Sequence, residues 1–81
     1  MDYSVYVLES VKDGRLYIGV TQSVQDRISY HNRGRVRSTK GRRPFRLLGS
    51  KTFDSFRAAR AAEVLLKRFK DPVRVRSWIL A

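Results

Sequence analysis

The sequence predicts a small α+β member of the α/β class. A three-stranded sheet, mixed or antiparallel, is flanked by helices in the order β-β-α-β-α-α. Three observations carry this. The chain has 81 residues, which suits one domain (1–81) with a small core. Its first twenty residues alternate around an Asp13-Gly14 turn, as an antiparallel hairpin does. Apolar residues then recur at helical spacing in two stretches separated by one strand-like run.

The elements follow in order. "YSVYVLES" (Tyr3–Ser10) is rich in Val and Tyr; as a strand it puts Tyr3, Val5 and Val7 on one face and Tyr6 and Leu8 on the other. "LYIGV" (Leu16–Val20) is the returning strand. In "TQSVQDRISYHN" the residues Val24, Ile28 and His31 recur at helical spacing. Ser23 is the expected N-cap, Asp26 suits the first turn, and Asn32, Arg33 and Gly34 end the helix. "RGRVRSTKGRRPFR" (Arg33–Arg46) reads as a loop. "FRLLGSKTF" (Phe45–Phe53) is a third strand whose Gly49 marks a bulge or a close approach. "DSFRAARAAEVLLKRFK" (Asp54–Lys70) is the clearest helix, capped by Asp54 or Ser55, with Phe56, Ala59, Ala62, Leu66 and Phe69 as its apolar stripe. Asp71 and Pro72 then suit the N-cap and N1 of a last short helix, although "VRVRSWILA" also alternates as a strand does.

Charge narrows the partners. Eighteen Lys and Arg oppose seven Asp and Glu for a net charge of +11, and thirteen of the cations are arginine. Arginine's planar fork matches phosphate, so nucleic acid is the leading partner. Seven cations and no acid fall within Arg33–Arg46, and Arg35, Arg37, Lys40, Arg42 and Arg43 are the candidate nucleic-acid contacts. A membrane-surface protein would instead carry its cations on a widely apolar helix. With no cysteine, disulfides and Cys-based zinc sites are excluded. No apolar run approaches the roughly 18 residues of a membrane span, and the first residues lack a secretory pattern. A cytoplasmic location is expected, near the nucleoid in a bacterium.

The acids limit the chemistry. Asp2, Glu9, Asp13, Asp26, Asp54 and Asp71 fall at turns, element ends or caps; only Glu63 lies mid-helix beside an apolar stripe. A two-metal site needs several converging acids. A Ser/His/Asp triad has no acid near the single histidine, and neither a phosphate-cradling glycine loop nor HExxH occurs. What remains is two strand tyrosines, Arg27 and His31 on one helix face, and Glu63. Such a set can cut a phosphodiester with one metal: Arg27 stabilises the phosphate's growing charge and Glu63 holds the ion. Nearby cations would help a tyrosine accept a proton.

These residues resemble the GIY-YIG endonuclease superfamily, in its small single-domain branch. "SVYVL" and "YIG" resemble its paired strand motifs, "VQDRISYHN" its helix, "RSTKGRRPFRLLGSKTF" its basic loop and third strand, and "SFRAARAAEVLLKR" the helix of its metal-binding glutamate. The resemblance runs from about Tyr3 to Lys70. It implies a Mg²⁺- or Mn²⁺-dependent DNA endonuclease using one ion, structure-selective and of the repair or recombination type. Tyr17 is then the general base or its relay, supported by Tyr6. Arg27 holds the scissile phosphate, His31 assists proton transfer or orients Tyr6, and Glu63 is the single protein ligand of the ion. Gly19 lets the backbone come close to substrate, and Asn32 belongs to the helix motif. There are departures: Ser4-Val5-Tyr6 stands for Gly-Ile-Tyr, Val20-Thr21 follows YIG where some members have lysine, and no Asn or Gln follows Glu63.

Each residue also has a plain structural reading. The tyrosines can be packing, and Arg27 a solvated helix residue. His31 can serve the helix dipole, and Glu63 can pair with Arg60 or Lys67. Taken together, in order and at workable spacing, the positions favour function. The alternative is a nucleic-acid-binding module with weak or no catalysis. RNA remains open as a substrate, and a protein partner is a possible source of target choice.

Overall fold

The computed structural model describes residues 2–81. Strands β1 (Tyr3–Ser10), β2 (Leu16–Thr21) and β3 (Phe45–Phe53) alternate with helices α1 (Val24–Asn32), α2 (Phe56–Phe69) and α3 (Pro72–Leu80) in the expected order. The sheet order is β2-β1-β3, and both pairings are antiparallel. The central position of β1 explains its composition. Helices cover both of its faces, so Val5, Tyr6, Val7 and Leu8 are all fully buried.

The alternation in β1 sorts these side chains into two cores. Val5 and Val7 pack with Ala59, Ala62 and Leu66 of α2 and with Val75 and Ile79 of α3. Tyr6 and Leu8 point the other way, toward Phe45, with Val24 and Ile28 of α1 packed against them. The larger core is wholly apolar; the smaller one contains phenols and adjoins His31. That asymmetry positions the site.

Local chemistry sets the boundaries. Ser23 caps α1 by accepting from Asp26 N–H at 3.4 Å, and Ser55 caps α2 through Ala58 N–H at 3.1 Å. Asp71 caps α3 through Val73 N–H at 3.0 Å, and with Pro72 at the first turn it decides the last segment for helix over strand. Val75 and Ile79, four apart, then face the core. The shift in register between β1 and β3 falls where Val7 pairs with Gly49 and Leu8 with Leu47, so Leu48 is the bulged residue. A Cβ on Gly49 would lie 3.2 Å from the Ile79 backbone oxygen, so α3 packs directly onto this kink.

Two expectations need correction. Phe56 leaves the α2 stripe: it is half exposed, because the edge of its ring meets Tyr3 at 5.3 Å instead. Arg46 belongs to β3 rather than to the basic loop, and donates from Nε and Nη2 to Glu9 Oε1 at 2.8 and 2.6 Å. Glu9 lies at the end of β1, as expected, and is tied down there. It is buried, and Arg76 of α3 holds its other oxygen at 2.6 Å, so one carboxylate ties β1, β3 and α3 together.

Candidate active site

The smaller core opens onto a polar cluster drawn from four parts of the chain. Tyr6 comes from β1 and Tyr17 from β2. Arg27 and His31 lie one turn apart on α1 and face the sheet together. Thr39 comes from the basic loop. His31, Tyr6 and Thr39 are fully buried.

Hydrogen bonds connect them in one direction. Thr39 Oγ1 donates to the Val36 carbonyl at 3.3 Å, which leaves its oxygen to accept from His31 Nδ1 at 2.9 Å. His31 Nε2 is therefore an acceptor and takes the Tyr6 hydroxyl proton at 3.2 Å. Burial, and then the nearby Arg27 guanidinium, hold the imidazole below its ordinary pKa. It stays neutral, as this chain of bonds requires, and the helix-dipole reading of His31 is not the one adopted. Burial raises the Tyr6 pKa; hydrogen bonding from Arg27 pulls against this, while the charges of Tyr17 and Glu63 add to it. The Tyr17 ring stands edge-on to His31 at 4.6 Å and lies 6.3 Å from Tyr6.

Arg27 is not a freely solvated helix residue. It is half-buried, its guanidinium carbon lies 5.2 Å from the centre of the Tyr30 ring, and its buried Nε has no hydrogen-bond partner among the described residues. A buried guanidinium donor without a partner is costly.

Glu63 is buried on α2. Its Oε1 accepts from Arg60, and Lys67 Nζ lies 3.3 Å from Oε2. Both neighbours in the plain reading of Glu63 are therefore present. They are long side chains, each with 55% of its surface exposed, and can leave without disturbing the core. Among the described residues no three of His, Cys, Asp and Glu converge. The donor set fits a hard divalent cation that takes one carboxylate and completes its shell with water, as Mg²⁺ commonly does.

Gly19 pairs with Tyr6 across β1 and β2. A Cβ there would lie 2.5 Å from the Tyr6 hydroxyl oxygen, so the close approach within the fold is to the phenol. Asn32 lies away from the phenols. Its amide donates to the Phe45 carbonyl at 3.0 Å and accepts from Phe45 N–H at 2.7 Å, clasping the end of α1 to the start of β3.

The loop cations divide into two groups. Arg35, Arg37 and Lys40 are exposed. Arg42 and Arg43 are partly used within the loop: Arg42 Nη2 donates to the Ser38 carbonyl at 3.2 Å and Arg43 Nε to the Lys40 carbonyl at 2.9 Å. The sequence reading missed Thr39. Its only signal was a small hydroxyl residue among cations, and its burial depends on the loop folding back over α1.

The order of these residues along the chain has counterparts in known proteins. The chain belongs to the GIY-YIG nuclease family: residues 2–75 match the model of the GIY-YIG catalytic domain. It is similar to the UPF0213 protein of Streptococcus pneumoniae serotype 4, with 42% identity over 69 residues, 84% of this chain and 69% of that one. The UPF0213 protein of Nitratidesulfovibrio vulgaris is 45% identical over 65 residues, covering 79% of this chain and 58% of that one. The solution NMR structure of a UPF0213 protein from Bacillus halodurans superimposes with a TM-score of 0.53 at 32% identity, over 95% of this chain and 94% of that one. Its fold supports the three-stranded antiparallel sheet and three helices described above.

Proposed function

We propose that the protein is a metal-dependent endonuclease that hydrolyses DNA phosphodiester bonds and selects branched, flapped or single-stranded DNA. The observation that carries this reading is the gathering of Tyr6, Tyr17, Arg27 and His31 around one buried hydrogen-bond chain, with the Glu63 charge felt at Tyr6.

Each residue has a physical part. Arg27 receives a nonbridging phosphate oxygen on its guanidinium and offsets charge that grows as water attacks. Tyr6 keeps its proton, since burial disfavours the phenolate. It donates a hydrogen bond to His31 and serves to position Arg27. Tyr17 is left as the phenol that accepts or relays the proton of the attacking water. Glu63 holds one Mg²⁺ or Mn²⁺, which supplies Lewis-acid stabilisation of the phosphate and leaving oxygens. Exposed Arg35, Arg37 and Lys40, with Arg42 and Arg43, track the nucleic-acid backbone. Target choice comes from this surface or from a partner protein, and the expected place of action is the cytoplasm.

A second reading, a binding module with little catalysis, is favoured by the Arg60 and Lys67 contacts that already neutralise Glu63. End-labelled flap, splayed, single-stranded and duplex DNA incubated with Mg²⁺, Mn²⁺ or EDTA separates the two. The endonuclease reading expects cuts only with a divalent ion, and a loss of about a hundredfold or more in Arg27→Ala and Glu63→Ala. Salt-sensitive binding without cleavage, or cleavage undiminished in both variants, would sink it.

A further inference from the structure

A cleft of about 450 Å³ opens at the outer edge of β2, on the face covered by α2 and α3. Of the groups given catalytic roles above, Tyr17 alone borders it. Its apolar wall is Leu16 and Ile18 of β2, Leu66 of α2, and Pro72 and Val75 of α3. Its remaining lining includes four cations: Arg15, Arg42, Lys67 and Lys70. Of these only Lys67 is in an ion pair, with Glu63, among the described residues. The acid in the lining, Asp71, is engaged as the N-cap of α3.

The combination is chemically specific. The volume lies within the range of about 300–1,000 Å³ of small-ligand sites, but an apolar wall beside four cations suits neither a neutral apolar molecule nor a bare anion. It suits a flat apolar ring carried on a phosphate backbone. Position adds to this. Lys67 is one turn beyond Glu63 on α2, and Tyr17 lines both the cleft and the polar cluster. The cleft therefore lies one turn of α2 from the carboxylate proposed to hold the ion, and reaches the β2 edge from the sheet face opposite α1.

We propose that this cleft is a base subsite that takes the unstacked base of a nucleotide neighbouring the scissile phosphate in an unpaired DNA strand. The inference rests on the endonuclease reading for the word scissile, and on the cleft alone for the base. A base inside a duplex has both faces covered and must be unstacked before it can enter, so the subsite discriminates for flaps and single strands. The wall itself is aliphatic and makes only apolar contact with a base face, a contact that every base can make, so capture is tolerant of sequence. Phosphate in the cleft also competes with Glu63 for the Lys67 ammonium, so strand binding loosens one of the two contacts on that carboxylate.

The test uses the full chain with ¹³C-labelled Leu, Ile and Val methyls, in EDTA so that nothing is cut. It is titrated with trithymidylate, with the same trinucleotide lacking its central base, and with inorganic phosphate. The expected result is movement of the Leu16, Ile18, Leu66 and Val75 methyls with trithymidylate, about tenfold weaker binding of the abasic strand, and no movement with phosphate. Equal responses to the intact and abasic strands, or responses confined to Val24 and Ile28 beside α1, overturn the proposal. Exposed Lys70, at the end of α2, supplies a second readout: Lys70→Glu is expected to lower the preference for single strand over duplex, and an unchanged preference counts against the subsite. Methyl shifts without any cleavage in Mg²⁺ would remove the endonuclease reading and leave the subsite standing. Cleavage without methyl shifts would do the reverse.

Discussion

Arg27 owes its setting to residues that need never touch substrate. Val36, Thr39, His31 and Tyr6 form a buried chain of bonds that ends beside the guanidinium. The chain depends on a neutral imidazole, and this gives a pH prediction. His31 is lowered in the folded state from its ordinary 6.5, so between the two values the unfolded chain binds more protons. The His31 contribution is fully present above about 6.5 and is lost as pH falls below it. Urea midpoints should therefore hold steady from about pH 8 to 7 and decline toward about pH 5, a decline expected to flatten in His31→Phe. Glu9, lowered by Arg46 and Arg76, acts only below its ordinary 4.5, so it does not confuse that window. Arg27→Lys should lose activity nearly as fully as Arg27→Ala in a single-turnover assay, since an ammonium lacks the planar fork. At this scale the sequence disclosed the titratable residues but not their linkage. Arg27 and His31 at four-residue spacing are visible as one face. Thr39 is not, because a loop residue has no period and its burial is a property of the finished fold.

Among the elements, α1 and the two strands β1 and β2 hold the site, and two small contacts set their spacing. Asn32 clasps Phe45 through a pair of amide bonds. Asn32→Ala should lower stability by about 1–2 kcal/mol in urea unfolding, with one bond lost on each side of the Phe45 peptide. Gly19 admits the Tyr6 phenol against β2. Gly19→Ala should displace the hydroxyl from His31, weaken cleavage, and lower stability by about 1–3 kcal/mol through overpacking; unchanged activity in that variant would separate Tyr6 from the mechanism. The elements themselves were largely legible: period-two alternation gives β1 and β2, the Asp13-Gly14 turn joins them, and serine, aspartate and proline mark the helix starts. Phe56 was misread because period alone cannot tell a core position from a ring packed against Tyr3 at the rim. The helical state of α3 needed the Asp71 cap, since its apolar residues satisfy both periods.

Across the whole molecule, an excess of positive charge surrounds a small double-sided core. Only Arg46, Arg60, Lys67 and Arg76 form ion pairs among the described residues, so most of the +11 net charge faces outward. If the five loop cations each neutralise one phosphate, log affinity should fall against log salt with a slope of about −3.5 on single strands and −4.5 on duplex. Removing exposed Arg35 or Arg37 should flatten the slope by somewhat under ~1 each, and Arg43→Ala by less, because Arg43 is bonded within its own loop. That Glu63 of α2 stands on the sheet face opposite α1, while its charge still bears on Tyr6 of β1, could not be read from spacing.

The most direct test of the central claim, that these residues form one metal-dependent site, is a Mn²⁺ soak of crystals read by anomalous scattering. The account predicts a single peak at the Glu63 carboxylate with Lys67 or Arg60 withdrawn from it. No peak there, with both cations still on Glu63 at saturating Mn²⁺, would contradict it.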